Sequence, residues 1–176
     1  MSELQGAKNA WLGLGGNIGD VKQALRQALR LLNDHPEIAV TKVSPLYKTP
    51  PWGVEDQPWF LNCCAQIATR LSPEALLEVC QEAEREGKRE RIVRWGPRTI
   101  DVDIVAFEGV EQVEQRLTIP HPRATERDFV MVPLADIAPD LVLGGKTVGQ
   151  WTADMKADQL ELESTSGNWW QDLPET

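Results

Sequence analysis

Two carboxylates, Asp101 and Asp103, stand one residue apart in the run Thr99 to Phe107, where Ile100, Val102 and Ile104 alternate with them. That alternation is the period of a β-strand, so both carboxylates leave on one face and the apolar side chains on the other. A rise of about 3.3 Å per residue puts the two backbone positions roughly 6–7 Å apart, close enough for the side chains to share hard cations. Magnesium takes oxygen ligands and keeps waters and substrate phosphates in its shell. Two such ions about 3.5–4 Å apart clamp a phosphate chain. The plainer alternative is a half-exposed strand with a solvated acidic face.

The segment before the pair favours the phosphate reading. Arg85 to Arg98 carries six basic and two acidic residues, a net +4 in a chain of −9, so the remainder is −13. Arg89, Arg91 and Arg98 can grip phosphate oxygens in bidentate fashion and spread positive charge over a transition state. A loop with this much like charge repels itself when empty and settles on an anion. Arginines beside paired carboxylates have the layout of a metal-bridged polyphosphate site. Ion pairing with Glu84, Glu86 and Glu90 is the structural alternative.

Further candidates lie in or beside expected loops. Two of Trp52, Trp59, Phe60, Trp95 and Phe129 could sandwich a flat heterocycle, with Thr49, Gln57 and Asn62 reading its edge. His121 sits between Pro120 and Pro122, which fix its direction. It is a phosphate contact or a backbone-capped turn residue.

The elements that must position these groups follow from periodicity. Ala10 to Gly15 reads as a buried strand and Gly15 to Gly19 as a turn. Asp20 caps a helix to about Asn33, with Val21, Leu25, Ala28, Leu29 and Leu32 on one face. Ile38 to Val43 and Phe60 to Thr69 read as strands. Ser72-Pro73 opens a second helix that ends near Gly87. A weak strand pair is expected within Val110 to Ile119, then short helical pieces from Arg123 to Ile137, interrupted by Pro133. The order βαββαβ with additions suits an α+β sandwich, helices on one sheet face.

Composition bounds the rest. The chain has 176 residues, 41% hydrophobic and 26% charged, which is ordinary for one globular domain. Net charge −9 argues against a nucleic-acid partner. No stretch approaches the ~20 apolar residues of a membrane span. Cys63, Cys64 and Cys80 form neither a disulfide framework nor a zinc pattern, which points to a reducing, cytoplasmic setting. Beyond Lys146 there are six acids and one base. Residues 1–146 are therefore expected to form the single domain, and 147–176 a loosely attached acidic tail.

These residues together resemble a known family. Gly15-Gly16-Asn17, then Thr49-Pro50-Pro51 with Gly53, then Asp56-Gln57-Pro58 with Phe60-Leu61-Asn62, then Arg94-Trp95-Gly96-Pro97-Arg98-Thr99-Ile100-Asp101-Val102-Asp103, and Pro120-His121-Pro122 occur in order. The pattern, over about Ala10 to Val142, is similar to 6-hydroxymethyl-7,8-dihydropterin pyrophosphokinases of folate biosynthesis. The resemblance implies a ferredoxin-like fold and transfer of the β,γ-diphosphate of ATP to the pterin hydroxymethyl oxygen, releasing AMP. It implies two magnesium ions on Asp101 and Asp103. It places Thr49, Pro50, Trp52, Phe60, Asn62 and Phe129 around the pterin. Gln81, Arg89, Arg91, Arg98, Ile104, Arg116, Thr118, His121 and Arg127 would surround ATP, and Trp95 would help close the loop over both ligands. Phe60 stands where the family commonly has tyrosine, and Trp52 where a smaller aliphatic is common. The expected protein is a monomer acting on two small molecules. The rival readings are a non-catalytic nucleotide-binding module on the same fold, and an RNA-binding sandwich, which the −13 remainder disfavours.

Overall fold

Local signals start and stop the long elements. The computed structural model describes residues 4–50, 58–89 and 100–171; for Lys88 and Arg89 it describes the backbone only. Strand β1 (Lys8–Gly16) leads through Gly19 to helix α1 (Val21–Asp34). The Asp20 carboxylate accepts from the Gln23 amide at 3.2 Å, capping the helix start. Val21, Ala24, Leu25, Ala28, Leu29 and Leu32 are its buried face. At its end the His35 N–H donates to the Leu32 carbonyl, and Pro36 follows.

Strands β2 (Ile38–Val43), β3 (Tyr47–Thr49) and β4 (Phe60–Thr69) come next, then helix α2 (Pro73–Arg89). Ser72 Oγ accepts from the Ala75 amide at 3.1 Å, and Pro73 takes the first helical position, where its missing N–H costs nothing. Strand β5 (Ile100–Phe107) carries the aspartate pair. A short pair, β6 (Gln112–Val113) and β7 (Thr118–Ile119), falls within the expected segment.

The sheet runs β5, β1, β4, with β2 and β3 sharing the outer side of β4. All neighbours are antiparallel. Each helix therefore crosses over one intervening strand, and two split βαβ units interleave, which is the ferredoxin-like arrangement. Helices α1 and α2 cover one face. Leu12, Leu14, Cys63, Ala65, Ile67, Ile100, Val102 and Ile104 pack beneath them in the larger apolar cluster.

The other face is half covered. A 3-10 turn (Ala124–Glu126) leads into α3 (Asp128–Ile137), whose Met131, Leu134 and Ile137 pack with Trp11, Cys64, Val105 and Ala106. Here the structure corrects one expectation: Pro133 lies inside α3 rather than interrupting it. Proline removes one backbone donor, and the burial of Met131, Leu134 and Ile137 outweighs that loss.

A second correction concerns the acidic end. Strands β8 (Val142–Leu143) and β9 (Lys146–Thr147) form a hairpin before α4 (Val148–Ala153), whose Thr147 and Gln150 make a reciprocal capping box. Strand β10 (Glu161–Leu162) then pairs with β3 at the sheet edge. Trp169 and Trp170 enter the main core at 2% and 7% exposure. Trp169 Nε1 donates to the Ser44 carbonyl at 2.9 Å, and Arg26 Nε donates to the Trp169 carbonyl at 2.8 Å. Up to Gln171 this stretch is not loosely attached, because two tryptophans anchor what its charge alone would leave solvated.

Candidate active site

Strand register assembles the site. Tyr47 of β3 faces Asn62 of β4, Asn62 faces Gly15 of β1, and Gly15 faces Asp101 of β5. Residues directly opposite in a ladder share a face, so these four form one row across the sheet. A second row is Cys64, Gly13 and Asp103; a third is Thr49 and Phe60. All three rows lie on the face that α3 half covers. Two strand spacings separate Asn62 from Asp101, about 9–10 Å. Gly13 and Gly15 put no side chain into that interval, so the sheet is bare between the amide and the carboxylates.

A cavity of about 920 Å³ opens over these rows. It is lined by Thr49, Pro50, Phe60, Asn62, Asp101, Asp103, His121, Arg127 and Phe129 among the residues expected from sequence. Gly13, Gly15, Val105, Pro122, Arg123, Glu126 and Val130 also line it and were missed. The glycines had a usable signal: they alternate in β1 with the same period as the aspartates in β5.

Hydrogen bonds fix several of these groups. Asn62 Nδ2 donates to Thr49 Oγ1 at 3.0 Å. The Glu84 carboxylate accepts from the Val102 amide at 2.8 Å, tying α2 to the strand between the two aspartates. The His121 N–H donates to the Val105 carbonyl at 2.9 Å. His121 Nδ1 accepts from the Arg123 amide at 3.2 Å, so in the neutral ring the proton sits on Nε2. The Arg127 guanidinium lies 5.6 Å from the centre of the Phe129 ring, a cation–π contact.

Charge is crowded around Asp103. Burial holds its carboxyl above the usual range, and Asp101 adds to this, while His121 and Arg127 oppose it. Burial pushes the His121 imidazole down, and Arg127 and Arg123 push the same way against Asp103. A buried carboxylate beside a second one is a place that favours a cation. Among the described residues no group of three or more metal-ligating side chains gathers. Two carboxylates suit magnesium, which fills its shell with water and phosphate oxygens.

Four expected nucleotide contacts stand elsewhere. Ile104 is 3% exposed in the core beneath α1 and α2, on the opposite sheet face. Strand alternation sends its side chain away from the aspartates. Gln81 lies on α2 and does not line the cavity. Arg116 pairs with Glu78 at 3.7 Å on the surface. Thr118 Oγ1 donates to the Glu114 carbonyl at 3.2 Å. Trp52, Arg91, Trp95 and Arg98 lie outside the described residues, as does most of the basic segment, and the Arg89 side chain is likewise not described.

A family model described as 7,8-dihydro-6-hydroxymethylpterin-pyrophosphokinase (HPPK) matches residues 11–139. The chain belongs to this family. An HPPK relative from Methylorubrum extorquens, named 2-amino-4-hydroxy-6-hydroxymethyldihydropteridine pyrophosphokinase, is 49% identical over 152 residues, covering 86% of this chain and 96% of the relative. A Bacillus subtilis protein of the same name is 51% identical over 128 residues, covering 73% and 77%. Among solved structures, Plasmodium falciparum HPPK-DHPS with pteroate superimposes at TM-score 0.67 and 16% identity. That superposition covers 86% of this chain but 44% of the Plasmodium chain, and it shows the shared HPPK fold alone. No helix among the described residues is long and apolar enough to cross a membrane.

Proposed function

We propose that the chain transfers the β,γ-diphosphate of ATP to the hydroxymethyl oxygen of 6-hydroxymethyl-7,8-dihydropterin, releasing AMP, as a step of folate biosynthesis. Membership of the HPPK family and the names of its relatives support the pterin pyrophosphokinase activity. One observation carries the site: Asp101 and Asp103 open into the same cavity as Asn62, Phe60 and Phe129, across a strip of sheet without side chains.

Each residue has a role in this reading. Phe60 and Phe129 flank the flat ring, and Asn62 and Thr49 read its polar edge. The bare glycine strip lets the hydroxymethyl arm reach toward β5. Asp101 and Asp103 would hold magnesium, two ions in this reading, for a triphosphate substrate. When bound, magnesium supplies neutralisation of the phosphate oxygens. Arg127, with Arg89 at the end of α2 and Arg91 and Arg98 of the basic segment, binds the transferred group. Nε2 of His121 donates to a phosphate oxygen. Trp52 as a pterin contact and Trp95 as a group closing over both ligands follow from the family resemblance alone. Gln81, Ile104, Arg116 and Thr118 are retained as nucleotide contacts only through the family resemblance. Catalysis by this arrangement is alignment of hydroxyl and phosphorus together with charge stabilisation, without a strong dedicated base.

The chain acts on small molecules as a monomer in this reading. Its three free, buried cysteines support a reducing compartment, the cytoplasm. Incubation with ATP, magnesium and the reduced hydroxymethylpterin tests the whole proposal. AMP must appear in step with pterin diphosphate. ATP binding without AMP would instead support the non-catalytic module.

A further inference from the structure

We propose that the hydrogen bond from Tyr47 to Asp136 is a positioning device for the pterin pocket: it fixes the rotation of the helix that carries Phe129 over the strand that carries Thr49. The inference rests on reading the cavity as a pterin site.

The two partners belong to opposite walls. Tyr47 lies in β3, two residues before Thr49 and directly across from Asn62. Its hydroxyl donates to Asp136 Oδ2 in the last turn of α3. Asp136 follows Phe129 by seven residues, two helical turns, so the two side chains share a face of α3. A directional bond at Asp136 therefore sets the angle at which the Phe129 ring meets the cavity.

The other contacts of α3 do different work. Met131, Leu134 and Ile137 seat it on Trp11, Cys64 and Val105. Apolar contacts are non-directional and hold a helix down more firmly than they fix its roll. Cys64 Sγ lies 3.4 Å from the Val130 carbonyl, a weak sulfur contact beside Phe129, and Lys42 Nζ donates to the Ile137 carbonyl at 3.5 Å, the long limit of a hydrogen bond. The Tyr47 bond ends on a carboxylate and is the stronger, charge-assisted kind. Burial and the Asp136 carboxylate hold the Tyr47 phenol well above its ordinary range, so it remains a donor at neutral pH.

The test compares Tyr47→Phe, Asp136→Ala and Asp136→Asn in the full chain. Asparagine keeps an acceptor oxygen where alanine does not. Pterin binding is followed by direct fluorescence titration, and KM and kcat by AMP release. Tyr47→Phe and Asp136→Ala should each weaken pterin binding about fivefold, the scale of one net hydrogen bond. Their ATP KM and kcat should stay near wild type, and the double variant should be no worse than either single. Asp136→Asn should restore pterin affinity. Asp136 is exposed, so its variants leave the core intact. Unchanged pterin affinity, equal losses for ATP and pterin, or no rescue by asparagine would overturn the inference. If the wild type forms AMP, such a result removes only the Tyr47 tie. A wild type that neither binds the pterin nor forms AMP removes both the tie and the proposed function.

Discussion

Gly15 lies so close beneath Asn62 that a β-carbon at position 15 would fall 2.1 Å from Asn62 Oδ1. The Asn62 amide is held from its other end by Thr49 Oγ1 at 3.0 Å, so it cannot turn aside without losing that bond. Gly15→Ala should cost about 1–3 kcal/mol of stability through overpacking. It should also weaken pterin binding at least as much as Asn62→Ala does. In an Asn62→Ala background most of the stability cost should vanish, with Leu61 O at 3.2 Å remaining as a close neighbour. Thermal unfolding of the four proteins in this cycle measures it; equal costs in both backgrounds would assign the strain elsewhere.

Asp101→Asn and Asp103→Asn separate stability from chemistry. Turnover should fall at least about a hundredfold, since several kcal/mol of charge stabilisation leave with the metal ligand. Stability should not fall with it. Folding makes ionisation of Asp103 harder than in the unfolded chain, because burial and Asp101 raise its pKa. Asp103→Asn should therefore unfold at or above the wild-type temperature in metal-free buffer. AMP release and calorimetry on the same preparation decide the matter, and a variant both active and less stable would contradict both halves.

Trp169 should behave as a core residue far from the chemistry. Trp169→Ala should lose about 3–5 kcal/mol, the usual range for emptying a large aromatic site. Trp169→Phe keeps most of the packing and loses the bond to the Ser44 carbonyl, so about 1–3 kcal/mol is expected. The closeness of Gly167 to the Val43 carbonyl, 2.1 Å from a built β-carbon, explains why the chain must be bare just before the tryptophan pair. Urea midpoints for the two variants check the order. A Trp169→Ala protein as stable as wild type would show the C-terminal stretch to be dispensable.

The three cysteines give a pH dependence with a defined sign. Burial pushes the Cys80 thiol up to about 12 and raises Cys63 and Cys64 as well. The folded state thus keeps thiol protons that the unfolded chain releases above its ordinary value of 9.0. Their contribution is fully present below that value and is lost as pH rises from about 9 through the folded pKa. Each thiol should add a slope of about 1.4 kcal/mol per pH unit in that window. Replacing Cys80 by alanine should flatten the slope of stability between about pH 9 and 11, relative to wild type, by one thiol's share. An unchanged slope in chemical denaturation would show that Cys80 is solvated.

What was legible in the sequence was local. Alternation placed β5, and alternation also put Ile104 on the face opposite Asp101 and Asp103, where the structure has it; only the resemblance had drawn it toward ATP. Helix α1 was readable from its cap and apolar spacing. The bare strip of Gly13 and Gly15 was not, because its meaning depends on register with β4 and β5, partners far away in sequence. The acidic end misled for a similar reason. Six acids suggested solvation, while the fate of Trp169 and Trp170 was set by the space between α1 and the Ser44 backbone. Arg123 and Glu126 entered the cavity through the 3-10 turn, whose hand and length no periodicity announces.

The placement of Trp169 and Trp170 also has a consequence for synthesis. The apolar cluster beneath α1 begins with Ala10 and is not complete until residue 170 is in place. A nascent chain on the ribosome must therefore carry an open hydrophobic seam through nearly all of its translation. Nascent chains arrested before position 169 should recruit chaperones and be cut by proteases, even with all three rows of the cavity floor already made.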